Sequence, residues 1–92
     1  MPRPPVQEWS SRRYRQSKRF RTAVRALGLR IRELREQKAL TLEQAADQMT
    51  MDLTHLQKIE AGKLNPTLVS LLRVAEGLDV SVGDLFPKVE TK

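Results

Sequence analysis

The chain has no cysteine, a single histidine, and only one Trp, one Tyr and two Phe among 92 residues. Without cysteine there is no disulfide, no thiolate zinc site and no thiol nucleophile, and a reducing compartment is permitted. One histidine, His55, and the absence of a Gly-rich phosphate loop leave nothing that meets the geometric demands of a catalytic site, so an enzyme is not expected. Glu33 and Glu36 sit among arginines at helical spacing and read as solvated surface. No metal-ligand spacing appears, and no cofactor is implied. Apolar runs such as Leu71-Leu72 are far too short to span a bilayer. The N-terminus has charges but no apolar segment behind them, so it does not read as a secretory signal, and a cytoplasmic protein is expected.

What is present is positive charge, unevenly placed. The formal net charge is +6. Residues 1–38 carry 12 Lys and Arg against 3 Asp and Glu, a net +9, whereas residues 39–92 carry 5 against 8, a net −3. A polyanion partner fits this balance, with the attraction supplied by the first 38 residues. The length allows one small domain with a modest core.

Residues 1–17 hold three prolines among the first five positions, then polar and basic residues without an apolar period. They read as an arm without fixed structure. Its arginines, Arg12, Arg13 and Arg15 among them, are interleaved with Trp9 and Tyr14. Such an arm tracks phosphates or enters a minor groove; equally, it is a solubilising tail whose aromatics pack on the domain or on a second copy. From Lys18 the pattern changes: Phe20, Val24, Leu27, Ile31 and Leu34 recur at spacings of four and three, the stripe of an amphipathic helix. Gly28 interrupts it at a cost of about 1 kcal/mol relative to Ala. The opposite face, with Arg25, Arg32 and Glu36, reads as solvated surface, with phosphate contact as the alternative.

Thr41 is a good N-cap and Gln44 completes a capping box for a helix running to Met49. Thr50 and Met51 form a turn, and Asp52 caps a second helix from Leu53 to Ala61. Gly62 supplies a left-handed exit and Pro66 blocks continuation. Ala45 and Ala46 allow the two helices to cross closely, while Leu56 and Ile59 give the second one an inward face. This is a helix-turn-helix unit, whose second helix usually enters a DNA major groove. Thr67 caps a further helix with apolar positions Leu68, Leu71, Leu72, Ala75 and Leu78. Ser81, with Asp84, caps a last short one in which Leu85 and Phe86 pack inward, and Pro87 ends it. The boundaries are an arm at 1–17, a domain at 18–87 and a tail at 88–92.

Over Leu27 to Phe86 the chain resembles the Cro/phage-repressor-like helix-turn-helix family, also called the xenobiotic-response-element family. The carrying residues are Ile31, Leu34 and Arg35, then Leu40-Thr41, Ala46, Ile59-Glu60, Gly62, Asn65-Pro66, Leu68, Leu71-Leu72, Leu78, Val80, Leu85 and Phe86. The resemblance implies an all-α, five-helix lambda-repressor-like DNA-binding domain, here with an extended first helix and a basic N-terminal arm. It implies base reading by the exposed start of the second helix of the unit: Leu53, Thr54 and His55, with Gln57 and Lys58 a turn later. Phosphate contacts fall to the first unit helix at Thr41, Leu42 and Gln44, to Lys63 and Asn65 in the loop, and to Arg12, Arg13 and Arg15. It also implies a partly buried salt bridge between Arg35 and Glu60, whose fork geometry would orient the recognition helix.

The chain departs from the family at Thr50, where a turn Gly is common, at Ala45, where Leu is common, and at Leu53, where a polar reader is usual. Leu53 is either a reader or a third inward residue beside Leu56 and Ile59. No arginine lies on the recognition helix, so the commonest guanine contact is missing. The leading expectation is a sequence-specific regulator of bacterial or phage origin, a homodimeric repressor of a palindromic operator on double-stranded DNA. The alternative is an antitoxin-like or other protein-binding module on the same fold.

Overall fold

The computed structural model describes residues 11–87; the first ten residues of the arm, with Trp9, and the tail at 88–92 lie outside them. The elements are α1 Ser11–Arg15, α2 Lys18–Gln37, α3 Leu42–Gln48, α4 Leu53–Glu60, α5 Leu68–Leu78 and a 3-10 turn Val82–Leu85. Among the described residues there is no strand, and no helix is long and apolar enough to cross a membrane.

The helices start where side-chain caps meet free backbone N–H groups. Ser17 Oγ accepts from Phe20 N at 3.1 Å, Thr41 Oγ1 from Gln44 N at 3.1 Å and Thr67 Oγ1 from Ser70 N at 3.1 Å. They end in a shared exit. Ala39, Thr50, Gly62 and Asp79 adopt φ of 55°, 51°, 69° and 56°. In each case the next N–H reaches back to a carbonyl of the helix: Leu40 to Arg35, Met51 to Ala46, Lys63 to Lys58 and Val80 to Ala75, at 2.9–3.2 Å.

The core is the meeting of α2, α3, α4 and α5. Ile31, Met49, Leu56, Ile59, Val74, Leu78 and Leu85 are fully buried. Val24, Leu27 and Leu34 complete the stripe of α2, with Phe20 half-buried at its start.

Two expectations are corrected. The arm carries a helix before Ser17: α1 ends two residues short of α2, and Tyr14 meets Phe20 edge-on at a centroid distance of 6.1 Å. Arg21 Nη1 also donates to the Gln16 carbonyl at 3.0 Å. Neither contact produces an apolar period in the sequence. On α5, two of the apolar positions, Leu68 and Leu72, are 65% and 44% exposed. The buried face of α5 is Leu71, Val74, Ala75 and Leu78, which leaves Leu68 and Leu72 on its flank. Second, Phe86, expected to pack inward, is 49% exposed. The last element is a single 3-10 turn, capped by Ser81 N donating to Asp84 Oδ2 at 3.1 Å. Beyond it Phe86 is extended, so it points away from the side that buries Leu85.

Candidate nucleic-acid interface

The surface is built on α4, and each neighbour fixes it by a different means. Asp52 Oδ2 accepts from Thr54 N at 3.1 Å and His55 N at 3.4 Å, which sets where the helix begins. Leu56 and Ile59 are buried, and Leu53 is half-buried against the same cluster. Leu53 therefore packs on the inner face beside Leu56 and Ile59. Ala45 and Ala46, 0% and 3% exposed, bring α3 close beneath. The turn between them is tied to α5, where Arg73 Nη1 donates to the Thr50 carbonyl at 3.3 Å.

From the other side α2 sets the height of α4. A Cβ on Gly28 would overlap the carbonyl oxygens of Ile59 and Glu60, so the two helices touch backbone to backbone there. The interruption in the α2 stripe is the condition for that approach. Two turns along, Arg35 grips Glu60 with its fork: Nε to Oε2 at 2.8 Å and Nη2 to Oε1 at 3.0 Å. Arg35 Nη1 also donates to the Leu40 carbonyl at 2.9 Å, tying in the loop before α3. The two side chains are 10% and 8% exposed. Hydrogen bonding to Glu60 raises the Arg35 pKa, against an opposing effect of burial. The guanidinium thus stays charged, and its contribution is fully present below the unfolded arginine pKa and lost only as pH rises through the folded one.

What this frame leaves outside is the row Thr54, Gln57, Lys58 and Ala61, all exposed, with His55 half-buried. At the start of α3 the capping box closes as Thr41 N donates to Gln44 Oε1 at 2.9 Å. Leu42, half-buried, and Gln57 line one cleft with Arg32, Arg35, Glu60 and Ala61, so the start of α3 and the middle of α4 open onto the same space. Lys63 and Asn65 are exposed in the loop after α4. Arg12, Arg13 and Arg15 sit on α1 against the beginning of α2, not on the helix-turn-helix unit. Arg32 is the residue at this surface that sequence reasoning set aside. Its signal was positional, since it shares a flank of α2 with Arg25.

A family model described as helix-turn-helix matches residues 31–85. The chain belongs to the helix-turn-helix family. The family is one of DNA-binding transcriptional regulators, and this chain carries its DNA-binding unit. Among its relatives, the control protein C.MunI of a Mycoplasma species is 36% identical over 64 residues, covering 68% of this chain and 86% of that protein. The HTH-type transcriptional regulator DdrOP3 of Deinococcus deserti is 34% identical over 61 residues, 66% of this chain but 47% of that regulator. Among solved structures, the restriction-modification controller protein C.AhdI from Aeromonas hydrophila superposes with a TM-score of 0.69 at 34% identity, covering 71% of this chain and 98% of that one. The family match of this helix-turn-helix regulator opens at Ile31, so α1 and the first 13 residues of α2 precede it.

Proposed function

We propose that this regulator binds double-stranded DNA as a homodimer and represses transcription from a palindromic operator in the cytoplasm, acting by binding and not by catalysis. The observation that carries the reading is α4 itself. It is immobilised by its cap, its buried face, the Gly28 crossing and the Arg35–Glu60 fork, while Thr54, Gln57 and Lys58 stay open to solvent. Thr54 suits a thymine methyl or a base acceptor, Gln57 an adenine edge, and Lys58 guanine acceptors or a phosphate. Thr41, Leu42 and Gln44 on one side and Lys63 and Asn65 on the other flank the groove as phosphate contacts.

A helix of eight residues is about 12 Å long and meets few base pairs, so useful specificity needs a second copy one helical turn away. Leu68, Val69, Leu72 and Phe86 are exposed apolar side chains suited to that pairing. The likeness to C.AhdI supports control of restriction-modification genes as the setting. The same apolar residues would serve an antitoxin-like module with a protein partner; Leu53 adds little to that reading, since it packs half-buried against the core.

Selection of bound duplexes from a random pool tests the proposal. The expected result is a two-fold symmetric site whose base preference weakens by about 1–3 kcal/mol for each of Thr54→Ala and Gln57→Ala. Failure to retain any duplex at low ionic strength, beside capture of a protein partner, would overturn it.

A further inference from the structure

Residues 11–32 contain nine Lys and Arg and no Asp or Glu. On α2 these cations are sorted by side. Lys18, Arg21, Arg25 and Arg32 are separated by three, four and seven residues, which places them in one row along the helix. Arg30 lies on the other flank, where Nε donates to the Asp84 carbonyl of the 3-10 turn at 3.0 Å. Two contacts show where the row faces. Arg32 lines the cleft that holds Gln57 and Ala61 of α4. The backbone of Arg25 lies against Gly62, so close that a Cβ on Gly62 would sit 2.9 Å from Arg25 Cα. The row therefore continues the recognition side of the molecule past the end of α4, beside Lys63.

Within the protein the row is poorly compensated. Arg32 has a surface pair with Glu36 at 3.3 Å and Arg21 a carbonyl, whereas Lys18 and Arg25 have no carboxylate partner among the described residues. Arg21 and Arg25 are like charges four apart, and the first turn of α2 is cationic where the helix dipole favours anions. An external line of negative charge removes both penalties. From Lys18 to Arg32 the row spans about 21 Å, the axial length of about six base-pair steps.

We infer that Lys18, Arg21, Arg25 and Arg32 form a phosphate rail: a second, sequence-independent contact of α2 with duplex DNA flanking the bases read by α4. The inference rests on the DNA-binding reading above and adds to it a flank that the family match leaves out for all but Arg32. It makes the footprint of each copy longer than the half-site that α4 specifies.

The test compares the salt dependence of binding for Arg21→Gln/Arg25→Gln with that for Arg19→Gln/Lys38→Gln, which removes equal charge from exposed positions off the row. The probes are duplexes of about 40 base pairs, one carrying a selected site and one of arbitrary sequence. At about 0.9 in log–log slope per phosphate, the first pair lowers the slope by about 1.8. The affinity lost between about 50 and about 200 mM salt then shrinks about 12-fold. The control pair changes the slope by less than half as much. Arg21→Lys/Arg25→Lys, which keeps the charge, restores it. Hydroxyl-radical footprints show flanking protection in the wild type that the glutamine pair loses. Equal slopes for the two glutamine pairs, or no change in either, overturn the rail. If Thr54→Ala/Gln57→Ala still lowers the preference for the selected duplex, the recognition-helix reading survives that failure. If no duplex is bound by the wild type, both fall.

Discussion

Gly28→Ala separates two physical arguments that disagree in sign. Helix propensity says that alanine in the middle of the 20-residue α2 stabilises by about 1 kcal/mol. The packing says otherwise. The added methyl would meet the carbonyl oxygens of Ile59 and Glu60, which are backbone atoms and cannot rotate away as a side-chain tip would. Overpacking of a close contact costs about 1–3 kcal/mol and more where backbone must move. Here α4 would have to lift from α2, which also stretches the 2.8 and 3.0 Å arms of the Arg35–Glu60 fork. The packing effect wins, and the net is a loss of roughly 1–2 kcal/mol, a fall in Tm of roughly 5–15 °C for a domain of this size. Thermal melts followed by circular dichroism measure it. Gly83→Ala is the control, because its nearest obstacle, Ser81 Oγ, is 3.8 Å away. A variant Gly28→Ala that melts at or above the wild-type temperature would refute the reasoning and show that the two helices do not touch backbone to backbone.

Arg35→Ala strands the Glu60 carboxylate and is expected to cost about 3–5 kcal/mol, with Arg35→Lys rescuing little because an ammonium cannot make the fork. Since the Arg35 pKa is raised, that penalty holds steady in melts from neutral pH up to about 10; a penalty that vanishes in this range argues against the bridge. Thr50→Gly relieves a β-branched residue at φ 51° and raises stability by about 0.5–1 kcal/mol in denaturant titrations, after the larger unfolded-state entropy of glycine is deducted. Leu68→Glu/Leu72→Glu leaves the monomer fold intact but halves the mass seen by sedimentation; an unchanged mass moves the interface elsewhere.

What could be read from the chain alone was whatever a local signal announces. Thr41, Asp52 and Thr67 are capping residues ahead of apolar periods, and they open α3, α4 and α5 as expected. Gly62 marks its exit because glycine is the residue that φ 69° favours. The exits at Ala39, Thr50 and Asp79 have the same geometry with no glycine to announce them. The pairing of Arg35 with Glu60 joins residues 25 apart, and only likeness to a family suggests it. Gly28 looked like a flaw in α2 because its partner is the backbone of another helix, which propensity does not see. Phe86 is expected inward from its apolar character, whereas its extended backbone after the 3-10 turn directs it away from the side that buries Leu85. Leu53 was left open at sequence level because its inner position shows only once α4 is docked.

The division of charge has a mechanical consequence. Residues 39–92 are net −3, and α4 itself offers Lys58 as its sole cation, so the reading helix attracts a polyanion weakly. The excess positive charge lies upstream of α3, most of it on α2, and α2 is also the helix that holds α4, through Gly28 at the crossing and Arg35 at the fork. A phosphate strand engaged along Lys18, Arg21 and Arg25 is thus connected to Thr54 and Gln57 through one rigid crossing and no flexible linker. Affinity and specificity are then separable by mutation: neutralising α2 shifts the salt dependence without changing base preference, and replacing Thr54 or Gln57 does the reverse. Loosening the crossing with Gly28→Ala is the one change that degrades both, because it moves the reader relative to the rail. Its loss of base discrimination should therefore exceed what its stability loss explains when binding is measured well below the melting range, where the folded fraction stays near one.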